Sequence, residues 1–413
     1  MKDKILTHLN NPGQLEKMYR TNKISFKREF NTLYPELKGN APADFWNERL
    51  NYENDEIDWG TGRELLLVIM AALVAGFIAK LPVFLPISED VFYPRNIGFI
   101  IFPVLTVYFA WKNKLSTSKI AFIVGATIVG LIFINFIPDV KKSDTLILSC
   151  VHLVLVLWSV LGFAFVGEKR NNVENRLGFL KYNGDLVVMT TLILIAGALL
   201  TGITIGLFKL IGFNIEEFYF QNIVIFGLPA APIAGTYLIQ TNPQLVGKVS
   251  PVIAKIFSPL VLVMLVIYLV AIVFSGKDPY NDREFLLIFN ALLIGVMAII
   301  FFSIAETFRT KNLMGIWILF LLSVVTIIVN AIALSAILFR ISEWGITPNR
   351  AAVLGGNVLI LINLLLVAAQ LFRVLLKKND ITGVGKSIAF YLPVYAIWAT
   401  IVTFIFPLLF GFE

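Results

Sequence analysis

Apolar and polar positions in this chain alternate in long blocks. From about Glu64 onward, apolar runs follow one another, separated by short charged loops. Each run is close to the roughly twenty residues that a helix needs to cross the hydrocarbon core of a bilayer. Continuous apolarity rules out the alternating ten-residue segments of a transmembrane barrel. Non-helical crossings are excluded because unpaired backbone groups in lipid cost several kcal/mol each. The pattern therefore predicts an all-α, polytopic transmembrane helical bundle of eleven spans: 65–86, 97–111, 120–137, 145–166, 186–212, 222–239, 252–274, 285–305, 313–339, 351–376 and 387–410.

Residues 1–63 are different, and read as an amphipathic helical region preceding a 64–413 bundle. Asn11-Pro12-Gly13-Gln14 has the form of a helix start, with Pro at the first helical position and Gln where a capping box wants it. Phe26, Phe30, Leu33 and Tyr34 form a second amphipathic stretch, stopped by Pro35. A third begins near Pro42 and carries Phe45, Trp46 and Leu50. Basic and acidic residues are interspersed here, so this is no polybasic lipid-binding tail.

Composition sharpens this picture at a few points. The 413 residues are 58% apolar, a membrane composition. One cysteine, Cys150, permits no internal disulfide or thiolate cluster, and two histidines, His8 and His152, leave little for a metal or haem site. No metal or cofactor is expected, and no cleavable leader is visible before the first apolar run. The formal net charge is +7. Placing the N-terminus on one side puts fourteen Lys and Arg residues in that side's inter-span loops and seven in the opposite ones, from Lys112 and Arg95 onward. Basic loops stay cytoplasmic, so the reading is N-terminus inside and, with an odd span number, C-terminus outside. The positive charge thus reflects orientation, and no nucleic-acid partner is expected.

Candidate chemistry is sparse. Charges at membrane depth need an explanation. Lys80 precedes Pro82 and Pro86 at the end of span one, where its stem can snorkel to the headgroups or its ammonium can line a cavity. Arg95 precedes span two. Lys209 and Lys255 lie near span ends, and Glu306 ends span eight close to Arg309. In span six, Pro229 and Pro232 are expected to kink or unwind the helix and free carbonyls for an ion or substrate. Neutral polar residues inside spans are Asn135, His152, Asn290, Asn330, Asn357, Asn363 and Gln370. Asn363 and Gln370 share one face of span ten with Asn357 nearby, either as interhelical glue or as the lining of a hydrated path. The expectation is that Pro229, Pro232 and the Asn363/Gln370 face border one cavity.

The densest constellation is Arg340-Ile341-Ser342-Glu343-Trp344-Gly345-Ile346-Thr347-Pro348-Asn349-Arg350, joining two long spans with almost no spacer. Gly345 allows a turn and Thr347-Pro348 starts the next helix. Arg340 can pair with Glu343 three residues on, and Arg350, poorly placed in a helix's first turn, with Glu343 or another acid. The alternative is an anion or headgroup contact made by the two arginines. This stretch, with Phe45-Trp46, Glu48-Arg49-Leu50-Asn51-Tyr52-Glu53 and Phe92-Tyr93-Pro94-Arg95-Asn96-Ile97-Gly98, resembles the bacterial membrane family known as domain of unknown function 4153. That resemblance implies a multi-pass protein of a bacterial cytoplasmic membrane and brings no catalytic residues.

Three functions follow as expectations. A transporter, channel or lipid-handling protein would use the broken sixth span and the polar seam of span ten. A membrane-embedded enzyme on a lipid-linked substrate would need convergent acids, for which Glu89, Asp90, Glu216 and Glu217 are scattered candidates. A scaffold or sensor would work through residues 1–63 with a cytoplasmic protein, or through self-association. In all three, membrane lipids are partners.

Overall fold

The structure is a computed structural model that describes residues 2–21, 23–52, 61–138, 143–168, 173–210, 214–243, 245, scattered residues of 258–270, 283–307, 313–376 and 382–412. Among these residues all regular structure is helical. The chain divides into two compact units, Met1–Trp59 and Gly60–Glu413.

Four helices build the first unit: α1 (Lys2–Thr7), α2 (Pro12–Thr21), α3 (Lys23–Leu37) and α4 (Ala41–Tyr52). The Asn11 side chain accepts the Gln14 N–H at 3.2 Å, the expected cap with Pro12 at the first helical position. The core is Ile5, Leu15, Tyr19, Phe26, Phe30, Trp46 and Leu50, with the Tyr19, Phe26 and Trp46 rings in mutual contact. Two sequence expectations need correction. The short α1 is an additional helix, whose Ile5 is fully buried. Pro35 does not stop α3, which runs on to Leu37 and ends where Gly39 takes φ +93°. A proline two residues from a helix end removes one hydrogen bond that buried Phe30 and Leu33 outweigh.

The second unit begins with α5 (Gly62–Ala79), whose N-cap Thr61 accepts the Glu64 N–H at 3.2 Å, and the one-turn α6 (Leu81–Phe84). Then come α7 (Glu89–Lys112), α8 (Thr117–Phe136), α9 (Asp144–Val166) and α10 (Val173–Leu210). The short α11 (Glu216–Tyr219) leads through a π-helical turn, Phe220–Val224, into α12 (Ile225–Thr241). After residues outside the description follow α13 (Arg283–Thr307), α14 (Leu313–Trp344), α15 (Pro348–Leu375), α16 (Thr382–Phe404) and the one-turn α17 (Phe406–Leu409). Nine described stretches are long and apolar enough to cross a membrane; α13 adds a shorter apolar run, Leu292–Ile304. The predicted span 252–274 lies largely outside the described residues. The protein is an integral membrane protein by this measure.

Packing divides the bundle into two cores. The first joins α5, α7, α9, α10 and α12 through Ala75, Leu105, Phe109, Leu161, Tyr182 and Ile233. The second joins α13 to α16 through Ile300, Leu322, Val329, Leu364, Val367 and Ile388. Helices α9 and α10 also pack on α16 and bridge the two.

Several boundaries shift from those the hydropathy pattern predicts. Span two starts at Glu89 rather than 97, because Arg95 and Asn96 are buried with their polar groups bonded inside the protein. The expected loop Gly167–Asp185 is helical from Val173 onward, since its polar residues also bond within the bundle: Trp158 Nε1 donates to Asn183 at 2.9 Å and Lys181 pairs with Asp185 at 2.8 Å. Pro229 and Pro232 neither break nor unwind α12, which is continuous through both. The irregularity sits one turn earlier, in the π-helical segment, where the Ile225 N–H reaches the Phe220 carbonyl. Packing against α5, α7 and α10 holds α12 helical despite its missing donors.

Candidate functional site

Helices α13 to α16 carry a seam of uncharged polar side chains. Their central stretches, 285–305, 313–339, 351–372 and 387–404, contain no Asp, Glu, Lys or Arg. Within this charge-free slab, Ser323, Thr326, Asn330 and Asn363 are fully buried and Asn357 nearly so. Asn330 Nδ2 donates to the Asn357 carbonyl at 3.2 Å, and Asn357 Nδ2 donates to Asn290 Oδ1 at 2.9 Å. Further along α15, Asn363 Nδ2 donates to the Tyr395 hydroxyl of α16 at 3.0 Å. Ser323 and Thr326 turn their hydroxyls onto carbonyls of their own helix, Leu319 and Leu322. The amide oxygens of Asn330 and Asn363 accept no hydrogen bond, although both are enclosed. Gln370 is half-buried and has an interaction partner of its own.

The expected shared cavity does not form among the described residues. Pro229 is buried and Pro232 half-buried in α12, which belongs to the first core, whereas Asn363 and Gln370 lie on α15, which packs chiefly on α14 and α16. The Pro232 carbonyl accepts the Thr236 hydroxyl at 2.9 Å, so the local backbone is satisfied from within α12.

At the end of the bundle where α5 starts, a polar triangle went unread in the sequence. The Tyr108 hydroxyl donates to Glu64 Oε1 at 2.6 Å, and Lys112 Nζ reaches the same oxygen at 3.2 Å and the Tyr108 oxygen at 3.1 Å. Glu64 and Tyr108 are buried. The signal was present: α5 and α7 are antiparallel neighbours, so the first turn of one meets the last turn of the other, and Tyr108 and Lys112 are four apart on one face.

At the opposite end, Lys80 donates to Asn222 Oδ1 at 2.6 Å and lies over the Phe84 ring, so its ammonium is anchored to the π-helical turn instead of only reaching for headgroups. Arg95 Nη1 donates to the Ile134 and Ile137 carbonyls at 3.0 and 2.9 Å, closing the C-terminus of α8. Beside it, Asn96 and Asn135 exchange a reciprocal pair of amide bonds. Arg350 does for α14 what Arg95 does for α8: Nη1 donates to the Trp344 and Gly345 carbonyls at 2.9 and 2.7 Å. It therefore does not pair with Glu343, which is exposed and makes no ion pair among the described residues, with Arg340 or any other cation. Arg340 is buried, and both its guanidinium and that of Arg350 lie 5.7 Å from the Trp344 ring centre. Gly345 takes φ +75° and Thr347 caps α15, as the hairpin reading expects. A cation at the C-terminal end of α14 complements that helix's dipole, which explains Arg350's place at the start of the next helix. The side chains of Glu306, Lys209 and Lys255 lie outside the described residues.

The N-terminal unit holds a groove of about 610 Å³ between α2 and α4. Leu9, Pro42, Phe45 and Trp46 line it, with Glu16, Arg20 and Arg49 at the rim. Glu16 binds Arg20 at 2.7 Å and Arg49 at 2.9 Å, and Arg49 lies over the Trp46 ring at 4.9 Å. The Arg20 hydrogen bond, aided by the charge of Arg49, holds the Glu16 carboxyl below its ordinary value. A depressed folded-state value means that this contribution is present at neutral pH and is lost as pH falls through the carboxylate range. Acid melting of a 1–59 fragment, followed by tryptophan fluorescence, is expected to begin at higher pH in Arg20→Gln than in the parent; coincident profiles would contradict this.

No family model, curated protein or solved structure matches this chain. Among the described residues no three of His, Cys, Asp or Glu are grouped to hold a metal ion.

Proposed function

We propose that the protein is a transporter or channel whose polar path follows the α13–α16 seam. One observation carries this reading: the enclosed amide oxygens of Asn330 and Asn363 accept no hydrogen bond. Interhelical glue, worth around 1 kcal/mol per bond, accounts for the amide nitrogens of Asn330, Asn357 and Asn363, each of which has an acceptor. It does not account for the oxygens. An enclosed acceptor without a donor costs about 1–3 kcal/mol, which leucine at the same position would avoid. A path that hydrates these oxygens removes the cost. The N-inside orientation in a bacterial cytoplasmic membrane, and the kinship suggested by the Arg340–Arg350 stretch, belong to the same proposal and rest on the loop charges and that resemblance.

A second reading, a scaffold acting through the N-terminal unit, is supported by the groove between α2 and α4, where Phe45 is 65% exposed beside Arg20 and Arg49. The seam would then be structural and dry.

Cysteine accessibility separates the two. Cys150 is the chain's one cysteine, so Cys150→Ser gives a clean background. In it, Asn330→Cys and Asn363→Cys are expected to react with a hydrophilic methanethiosulfonate at least about ten times faster than Ile328→Cys and Leu365→Cys, because only a hydrated thiol ionises to the reactive thiolate. Ile328 and Leu365 are about half exposed on the outer faces of the same helices. Equally slow reaction at all four positions would sink the path.

A further inference from the structure

Two helices of the N-terminal unit line one groove with matched pairs of side chains. On α2, Glu16 and Arg20 stand one turn apart, and on α4 Phe45 and Arg49 do the same. Leu9 and Trp46 are buried at its apolar floor, whereas Phe45 is largely exposed at its lip. One carboxylate holds both arginines of the rim: Glu16 binds Arg20 Nε at 2.7 Å and Arg49 Nη2 at 2.9 Å. Each guanidinium carries five N–H groups. Among the described residues, the Nη hydrogens of Arg20 and the Nε and Nη1 hydrogens of Arg49 are bonded to no protein acceptor. Two arginines therefore face one glutamate around the groove, and the rim is cationic.

We propose that this groove binds an acidic peptide segment of a partner protein. A bulky apolar side chain of the segment sits against Phe45 and Trp46, and its carboxylates meet Arg20 and Arg49. The proposal rests on the scaffold reading, to which it gives a partner class, and is independent of the seam. The groove's volume of about 610 Å³ is that of an ordinary ligand site, roughly 300–1,000 Å³. Arg49 is already in place: Glu16 holds it, and its guanidinium lies 4.9 Å from the centre of the Trp46 ring. An arginine fixed in this way gives up little freedom when a carboxylate arrives. Aromatic rings and arginine around an apolar centre are also the composition of binding hot spots. A free inorganic anion would engage the arginines and leave Phe45 bare. A bilayer would not reach the floor, where Leu9 and Trp46 admit a protruding side chain but not a flat surface. Elsewhere the unit exposes acids such as Glu36 and Glu48, so its positive charge is local to the groove and does not spread over a lipid-facing surface.

The test is selection of a random library of short peptides on the full-length protein in phosphatidylcholine nanodiscs. Peptides that the parent retains and Phe45→Ala loses are expected to carry several acids around an aromatic or branched aliphatic residue. Labelled with a fluorophore, the strongest of them should bind the parent at least about tenfold more tightly than Phe45→Ala or Arg20→Glu, by anisotropy. Lys38→Glu makes the same charge change on an exposed residue outside the groove and should bind like the parent. Added salt should weaken binding to the parent more than to Arg20→Glu. Phe45 and Arg20 are 65% and 77% exposed, so both variants are expected to fold. Groove-dependent peptides without acids, or equal losses in Arg20→Glu and Lys38→Glu, overturn the acidic partner and leave the scaffold reading. If no retained peptide is lost on Phe45→Ala, both fall. A bilayer occupant would show instead as a blue shift of bimane at Asn10→Cys, exposed beside Leu9, on the Cys150→Ser background. Such a shift on replacing phosphatidylcholine by phosphatidylglycerol also overturns the proposal.

Discussion

A Glu64→Ala variant is expected to lose about 2–3 kcal/mol of stability in detergent or nanodiscs. The Glu64 side chain is 12% exposed and receives both the Tyr108 hydroxyl and the Lys112 ammonium on one oxygen. Alanine removes that acceptor and leaves the ammonium and hydroxyl facing each other. Breaking a fully buried pair costs about 3–5 kcal/mol; Lys112 is 31% exposed and keeps part of its hydration, which sets the lower figure. Glu64→Gln should cost less, since an amide oxygen can still accept from Tyr108. Lys112→Met on the Glu64→Ala background should recover part of the loss, because the stranded charge is gone. Chemical or thermal unfolding of the four proteins as a double-mutant cycle measures the coupling. A Glu64→Ala loss below about 0.5 kcal/mol would show the triangle to be a solvated rim contact of the ordinary kind.

How much of this was readable in the sequence varies with the physics of each element. The long apolar helices were, because hydropathy averaged over a span reports the solvent directly. Their starts were not, wherever a polar residue inside a helix finds its partner in the protein. Arg95 reads as a loop cation until Ile134 and Ile137 are seen to receive it. Asn183 and Asp185 read as loop residues until Trp158 and Lys181 bind them. Pro229 and Pro232 misled for the opposite reason. Local chemistry predicts a break, but α12 packs on three other helices, which offset the cost of its missing donors; the irregular backbone is instead the π-helical segment Phe220–Val224 that precedes it.

The seam was half visible. Asn363 and Gln370, seven apart, stand on one face of span ten in a helical projection, and Asn330 and Asn357 were evident as polar residues in apolar runs. Tyr395 was not, because its hydroxyl matters only through the α15–α16 contact that brings it to Asn363. The proline–asparagine cavity failed for the same reason in reverse: two features conspicuous in sequence lie in different cores. Sequence periodicity reports which residues share a face. It does not report which faces meet.

Gly355 and Gly356 carry that distinction to its limit, because neighbouring identical residues are expected to respond with opposite signs. The indole of Trp398 occupies the space where a Cβ at Gly355 would stand, overlapping its Cζ2, Cη2 and Cε2 atoms. Trp398 cannot swing aside freely: it meets Phe406 edge-on at 5.9 Å, next to Ala352 and Val402. Gly355→Ala should therefore force α15 and α16 apart and cost about 3 kcal/mol, the upper range for overpacking, and Gly355→Leu should not accumulate as folded protein. One residue on, a Cβ at Gly356 meets nothing within 4 Å. There alanine relieves only the conformational cost of glycine inside a helix, a gain of up to about 1 kcal/mol. Close approach through small residues is the ordinary means of packing helices in lipid, where burial of apolar surface supplies no drive. Trp398→Leu on the Gly355→Ala background should restore much of the loss, since the smaller side chain vacates the contested space. Melting temperatures of the two alanine variants that move together, in either direction, would refute the contact between α15 and α16 as described.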